Sequence, residues 1–175
     1  MTADIEVREA RPADLPALEG LYRASFPEED LVPLVRRLHQ ETDGVLSLVA
    51  VRGDEVIGNV IFTRCSVTPG NATVALLGPL CAAPAVQKQG VGSRLVKAGL
   101  EQVERWQAVK ALVLGDPGYY GRFGFVPGCA IAPPHALPEE WAAAWQFLDL
   151  DADKAPRSGT LEVPPPWRDK ALWSE

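Results

Sequence analysis

The chain is poor in residues that carry redox, metal and nucleophilic chemistry. It has three cysteines, Cys65, Cys81 and Cys129, widely spaced and without a CxxC pair. That odd, scattered set argues against a disulfide framework or a zinc site. Its two histidines, His39 and His135, each lack a nearby Cys or His with which to share a metal. Both read as surface or rim residues, and no metal is expected. No GxSxG occurs, so a Ser-His-Asp hydrolase lacks its nucleophile turn. No run approaches the apolar length of a membrane span. The amino terminus, MTADIEVREA, carries acids in place of an apolar core, unlike a secretory signal. A cytoplasmic protein without membrane contact is expected. Basic charge is also in deficit, with 17 Lys+Arg against 23 Asp+Glu and a net charge of −6. A nucleic-acid partner normally needs a basic face, so none is expected.

What is present suits one soluble domain. The 175 residues are 47% hydrophobic and 23% charged, enough to bury a substantial core. Neither a repeat nor a convincing internal boundary is visible, so residues 1–175 read as a single domain. Ile5 and Val7 alternate with charged residues, as in a short strand. In RPADLPALEGLYRASF, Leu15, Leu18, Leu21 and Tyr22 mark one apolar helix side, with Pro12 and Pro16 confined to its start. PEEDLVPLVRRLHQ reads as a second helix, with Glu28, Glu29 and Asp30 near its positive end and Pro33 demanding a late start or a kink. LSLVAVRGDEVIGNVIFTRC is a hairpin about Arg52–Glu55. NATVALLGPLCAAP is a third apolar run, in which Pro79 marks a bulge or an unpaired edge. From Gly90 a helix follows, carrying Val91, Leu95, Val96, Leu100, Val103 and Trp106 on its apolar side. ALVLGD reads as a buried strand, PGYYGRFGF as a helical turn, AWQFLDLD as a late strand and PPPWRDKALW as an extended covering tail.

The stretch between third run and helix carries the chemistry. Gln87-Lys88-Gln89-Gly90-Val91-Gly92 joins a strand to a helix start, where unpaired N–H groups and the dipole favour an anion. Its glycines allow close backbone approach. Lys88 and Arg94 add charge at the rim, and Ser93 a hydroxyl. The P-loop pattern and the dinucleotide GxGxxG are both missing. Taken alone, the stretch is equally a tight turn before a surface helix.

The surrounding motifs add a family resemblance. QKQGVG fits Q/R-x-x-G-x-G/A, the acyl-CoA signature of the GCN5-related N-acetyltransferases (GNAT). VREARPADLPAL resembles that family's opening strand and first helix, LCAAP the end of its fourth strand, and GDPGYYGRFGF the segment after its fifth. The resemblance covers about residues 5–126, with 127–175 as a carboxyl-terminal strand and tail. LGDPGYYGRFGF is similar to a group of small bacterial acetyltransferases.

The resemblance implies an α/β (α+β) fold: a mixed, mostly antiparallel sheet, splayed between strands four and five and flanked by helices. Those strands are expected at Val74–Ala83 and Ala111–Gly115. Acetyl-CoA is the implied co-substrate and an amine the acceptor. The backbone of Leu80, Cys81 and Ala82 would pair with pantetheine, like an added strand. Pyrophosphate would sit on the N–H groups of Gln87, Lys88, Gln89, Gly90, Val91, Gly92 and Ser93, with Arg94 at the rim. In the implied reaction, an amine attacks the thioester and a thiolate leaves. The thiol has a pKa of about 8.5 and leaves more readily when protonated, a task suited to a tyrosine with a pKa of about 10.

Tyr120, counted back from Gly124-Phe125, matches the family's general acid, with Tyr119 as backup. The pair is otherwise a structural cluster with Phe123 and Phe125. Many relatives carry an acid just before the position of Leu80; this chain has Pro79. Glu28 and Glu29 then either attract the amine and relay its proton through water, or simply suit a helix start. Asp116 reads as a cap for the turn at Pro117. Cys81 reads as a buried, inert thiol. Trp141, Trp145, Trp167 and Trp173 either line an acceptor pocket or close a core or oligomer contact. Relatives are often dimers, but no interface is legible in this chain. The alternative from another class is a sensor that binds acyl-CoA without catalysis.

Overall fold

The computed structural model describes residues 4–174. The chain divides into two compact units: residues up to Phe62 with Gly78–Gln102, and Thr63–Leu77 with the segment from Val103 onward.

In the first unit, β1 (Ile5–Glu9) pairs antiparallel with β2 (Val45–Arg52), Ile5 opposite Arg52 and Glu9 opposite Leu48. β3 (Glu55–Thr68) lies beside β2, across the hairpin expected at Arg52–Glu55, and β4 (Ala72–Ala82) lies beside β3. Helix α1 spans Leu15–Ser25, preceded by a 3-10 turn at Pro12–Asp14. Its Leu18, Leu21 and Tyr22 are buried, the side that the three-and-four spacing selects. Helix α2 (Val32–Gln40) buries Val32, Leu34, Val35 and Leu38. It starts late because Pro33 has no N–H to give a helix interior. Glu28, Glu29 and Asp30 therefore precede the helix in a turn, rather than forming its first turn. Asp30 accepts the Val32 N–H at 3.3 Å. Helix α3 spans Val91–Gln102 and tightens into a 3-10 turn at Val103–Trp106, so Trp106 lies beyond the α-helix.

A buried polar network ties these elements together. The Tyr22 hydroxyl donates to Asn59 Oδ1 at 2.6 Å, and Asn59 Nδ2 donates to the Leu48 carbonyl at 2.8 Å and to Ser47 Oγ at 3.0 Å. His39 Nδ1 lies 2.8 Å from the Val35 carbonyl, which can only accept, so Nδ1 carries the proton. Nε2 lies 3.0 Å from the Ser47 Oγ. α1, α2, β2 and β3 all contribute to this chain.

In the second unit, β4 runs parallel to β5 (Lys110–Leu114), from Val74 opposite Lys110 to Leu77 opposite Val113. The register ends at Leu77 while β4 continues to Ala82, through a cis Gly78–Pro79 peptide. The strand thus runs on through Pro79, which lies beyond its paired stretch with β5. β8 (Trp145–Asp149) is antiparallel to β5 and to the short β6 (Val126–Pro127). β9 (Ser158–Glu162) is antiparallel to the end of β3, and β7 (Ala130–Ala132) is parallel to β9. The architecture is the mixed, mostly antiparallel sheet with flanking helices that the resemblance implies.

The carboxyl-terminal region departs from expectation in two ways. It holds β7, β8 and β9 in place of one late strand, since the polar SGTLE has no strong strand pattern of its own and pairs only because β3 offers an edge. The tail folds into 3-10 turns at Pro165–Trp167 and Lys170–Leu172 rather than running extended, because Trp167 and Trp173 turn inward. Every indole N–H of the buried trio is bonded: Trp145 to the Ile131 carbonyl, Trp167 to Thr63 Oγ1 and Trp173 to the Trp167 carbonyl. Their rings meet at 5.6 and 6.0 Å. These three tryptophans are core, and Trp141 is half-buried.

Tyr22→Phe leaves Asn59 Oδ1 buried without its donor. Thermal or urea unfolding is expected to show a loss of about 1–3 kcal/mol.

Candidate active site

In the first unit, β4 leads through a 3-10 turn (Pro84–Val86) and a tight turn (87–90) into α3. Val91 and Leu95 bury their side chains against β3, close enough to Gly58 that a Cβ there would meet Val91 Cγ1 at 2.8 Å. This packing sets where the helix begins. The Arg94 N–H bonds the Gly90 carbonyl at 3.1 Å, and the amides of Val91 and Gly92 come before it at the helix start. Lys88 (φ 66°) and Gly90 (φ 83°) turn the chain into that start. Gln87 and Gln89 donate back to the Ala82 and Ala85 carbonyls, both at 3.3 Å, bracing the turn. Gln87, Lys88, Gln89, Gly90 and Arg94 are exposed, Gly92 and Ser93 half-buried and Val91 buried. Residues 83–94 contain no acid and two cations. The segment suits a bulky anion through its backbone first and its charge second.

Leu80 and Ala82 are half-buried on β4, and Cys81 is buried between them. The Ala82 carbonyl also accepts from the Ser25 hydroxyl at 3.1 Å, which joins the end of α1 to the end of β4. Burial pushes the Cys81 thiol up to about 12, against the opposing pull of the Tyr22 hydroxyl. Such a thiol is no nucleophile near neutrality.

A cavity of about 340 Å³ opens beside α1. Tyr22, Phe26 and Leu31 line it, with Arg23, Glu28, Glu29 and Asp30 among its polar residues. The structure thus brings Glu28 and Glu29 to a pocket of ligand size.

In the second unit, Asp116 caps α4 (Pro117–Tyr120) by accepting the Gly118 N–H at 2.9 Å. Tyr120 is half-buried, its ring edge-on to Tyr119 at 5.0 Å and to Phe125 at 5.9 Å. Burial raises its hydroxyl pKa strongly, and the neighbouring Tyr119 and Asp116 raise it further. The hydroxyl therefore stays protonated through the neutral range, as a proton donor must. Burial raises Tyr119 as well, while Arg122, over its ring at 4.6 Å, opposes the effect.

The acidic FLDLDAD stretch is partly neutralised within the fold. Lys110, 3% exposed, pairs with Asp149 at 3.2 Å and sits over the Phe147 ring at 4.4 Å. His135 bonds the Arg168 carbonyl. Among the described residues no His/Cys/Asp/Glu group could hold a metal, and no helix is long and apolar enough to cross a membrane. Sequence reasoning missed Asn59 and Gln146, both fully buried. The available signal was an amide within an apolar strand pattern, in GNVIF and in WQFLD.

Residues 15–125 match the model of the acetyltransferase (GNAT) family. The chain is 32% identical over 133 residues to the uncharacterized N-acetyltransferase YjhQ of Escherichia coli K12, covering 73% of each chain. It is 32% identical over 138 residues to YhbS of the same strain, an uncharacterized N-acetyltransferase, covering 77% of this chain and 79% of the relative. The solved structure of E. coli YhbS in complex with CoA superposes with a TM-score of 0.85 at 27% identity, over 97% of this chain and 94% of that one. A Brucella melitensis GNAT acetyltransferase in complex with acetyl-CoA gives 0.74 at 26% identity, over 93% and 97%. The chain belongs to the GNAT acetyltransferase family. It is an enzyme of the N-acetyltransferase class.

All three thiols are raised by burial, Cys65 and Cys81 to about 12. Iodoacetamide at pH 8 is expected to label the native protein slowly and all three cysteines once it is unfolded, as read by intact mass. Rapid labelling of Cys81 in the native state would show that it is not an inert core thiol.

Proposed function

We propose that the protein transfers an acetyl group from acetyl-CoA to the primary amine of a small molecule or peptide. The observation that carries this reading is the braced, acid-free turn at 87–90 delivering backbone amides at the start of α3. The CoA and acetyl-CoA complexes of the two structural relatives support it. Gln87 through Ser93 bind the pyrophosphate through their backbone, Lys88 and Arg94 assist at the rim, and Leu80, Cys81 and Ala82 pair with the pantetheine arm. The reading takes residues 1–175 as one catalytic domain.

The neutral amine attacks the thioester carbonyl directly. A tetrahedral intermediate forms, its oxyanion held by a β4 backbone N–H. Tyr120 gives its proton to the departing sulfur. Glu28 and Glu29, at the cavity beside α1, draw in the cationic form of the amine and relay its proton through water. Pro79 stands where many relatives carry an acid, and that favours one second reading: an acyl-CoA sensor without turnover.

Thiol release from acetyl-CoA, screened across polyamines, amino acids, aminoglycosides and peptide amino termini, separates the two. The enzyme releases thiol in an amine-dependent way; the sensor shows only a thermal shift with CoA. No shift with CoA would remove both readings.

With the best amine from that screen, Tyr120→Phe is expected to lower turnover about a hundredfold or more while the acetyl-CoA thermal shift is kept. Unchanged turnover would remove Tyr120 from the mechanism.

Gly90→Glu is expected to abolish the thermal shift with CoA. Gly90→Asn, which tolerates the positive φ of 83° without adding negative charge, keeps it. Normal CoA binding by a folded Gly90→Glu protein would displace the pyrophosphate from this loop.

A further inference from the structure

Gln146 on β8 is fully buried, and its Oε1 has no partner among the described residues. An unpartnered buried acceptor is costly, so the amide calls for a reason. Its other end supplies one. Nε2 lies 3.0 Å from the Gly115 carbonyl and 3.4 Å from the Ala144 carbonyl. Two carbonyls can only accept, so the NH2 end must face them and the amide cannot be turned round. The Ala144 carbonyl in turn accepts the Gly115 N–H at 2.9 Å. Gly115 is thus held on both its polar groups, just past the end of β5.

Gly115 is also the seat of the Tyr120 ring. A Cβ on it would overlap Tyr120 Cε2 and lie 3.0 Å from Cδ2. No side chain fits between that backbone and the ring, so a displacement of Gly115 is passed directly to Tyr120. The ring also meets Tyr119 and Phe125 edge-on, at 5.0 and 5.9 Å. The Tyr120 N–H bonds the Asp116 carbonyl at 3.0 Å, one residue after the clamped glycine.

We propose that Gln146 is a positioning residue: by clamping Gly115 it sets where the Tyr120 hydroxyl stands. This rests on the reading of Tyr120 as general acid. Gln146 does not itself touch substrate. It acts on the acid through one glycine, and its effect on turnover exists only while Tyr120 is there to be positioned.

The test combines a spectroscopic and a kinetic readout on the full chain. 3-Fluorotyrosine labels the three tyrosines, and Tyr120→Phe assigns the 19F signal of Tyr120. In Gln146→Leu that signal is expected to move while the Tyr22 signal stays. With hydroxylamine as a small acceptor, kcat for thiol release from acetyl-CoA falls about tenfold to a hundredfold and KM for acetyl-CoA holds. In a Tyr120→Phe background the same change has no further effect on kcat. An unmoved Tyr120 signal, or an equal loss of kcat with and without Tyr120, overturns the proposal. If Tyr120→Phe alone leaves kcat unchanged, the general-acid reading fails instead, and the 19F signal still decides whether Gln146 seats the ring. Should Gln146→Leu not fold, Gln146→Glu replaces it. Only its protonated carboxyl can donate to Gly115, so its activity relative to the native enzyme falls as pH rises. A flat ratio together with an unmoved Tyr120 signal overturns the proposal.

Discussion

The buried amide of Asn59 is the constraint on which the first unit depends. It sits fully buried within β3, where an unbonded polar group would be costly. Its carbonyl is met by Tyr22 from α1, and its NH2 by Leu48 and Ser47 from β2. Apolar contact alone would let α1 slide along the sheet. A hydrogen bond of 2.6 Å with a defined direction does not. The position of α1 then carries the Ser25 bond to the end of β4 and one wall of the cavity beside Phe26.

The second unit uses the same principle on different residues. Gln146 holds Gly115, Lys110 is balanced by Asp149 and the Phe147 ring, and three indole N–H groups each find an acceptor. The tryptophans bring large apolar area to a carboxyl-terminal region that is otherwise rich in proline and short of regular structure. Their bonded N–H groups make this a specific closure rather than a loose cover.

Reactive side chains are sparse among the described residues. Three thiols are raised by burial, and both histidines have backbone partners. The grip proposed for the pyrophosphate is made of main-chain N–H groups. The proposed acid is a hydroxyl held protonated by its surroundings. In such a design the decisive variable is where the backbone runs.

The sequence by itself determined the local elements and the family. Periodicity marked α1, α2 and α3, because a single apolar face repeats at three and four. Pro33 dictated a late α2, since a missing N–H is tolerated only in the first turn. QKQGVG and GDPGYYGRFGF were legible because glycine and tyrosine spacing in a loop is a local property. The tertiary structure alone decided the rest. SGTLE became β9 because β3 offered it an edge, and the proline tail folded inward with Trp167 and Trp173 buried. Asn59 and Gln146 look like ordinary polar residues in a one-dimensional reading. Their roles depend on partners 37 and 31 residues away, and no local pattern records which donors and acceptors a fold will bring to one buried point.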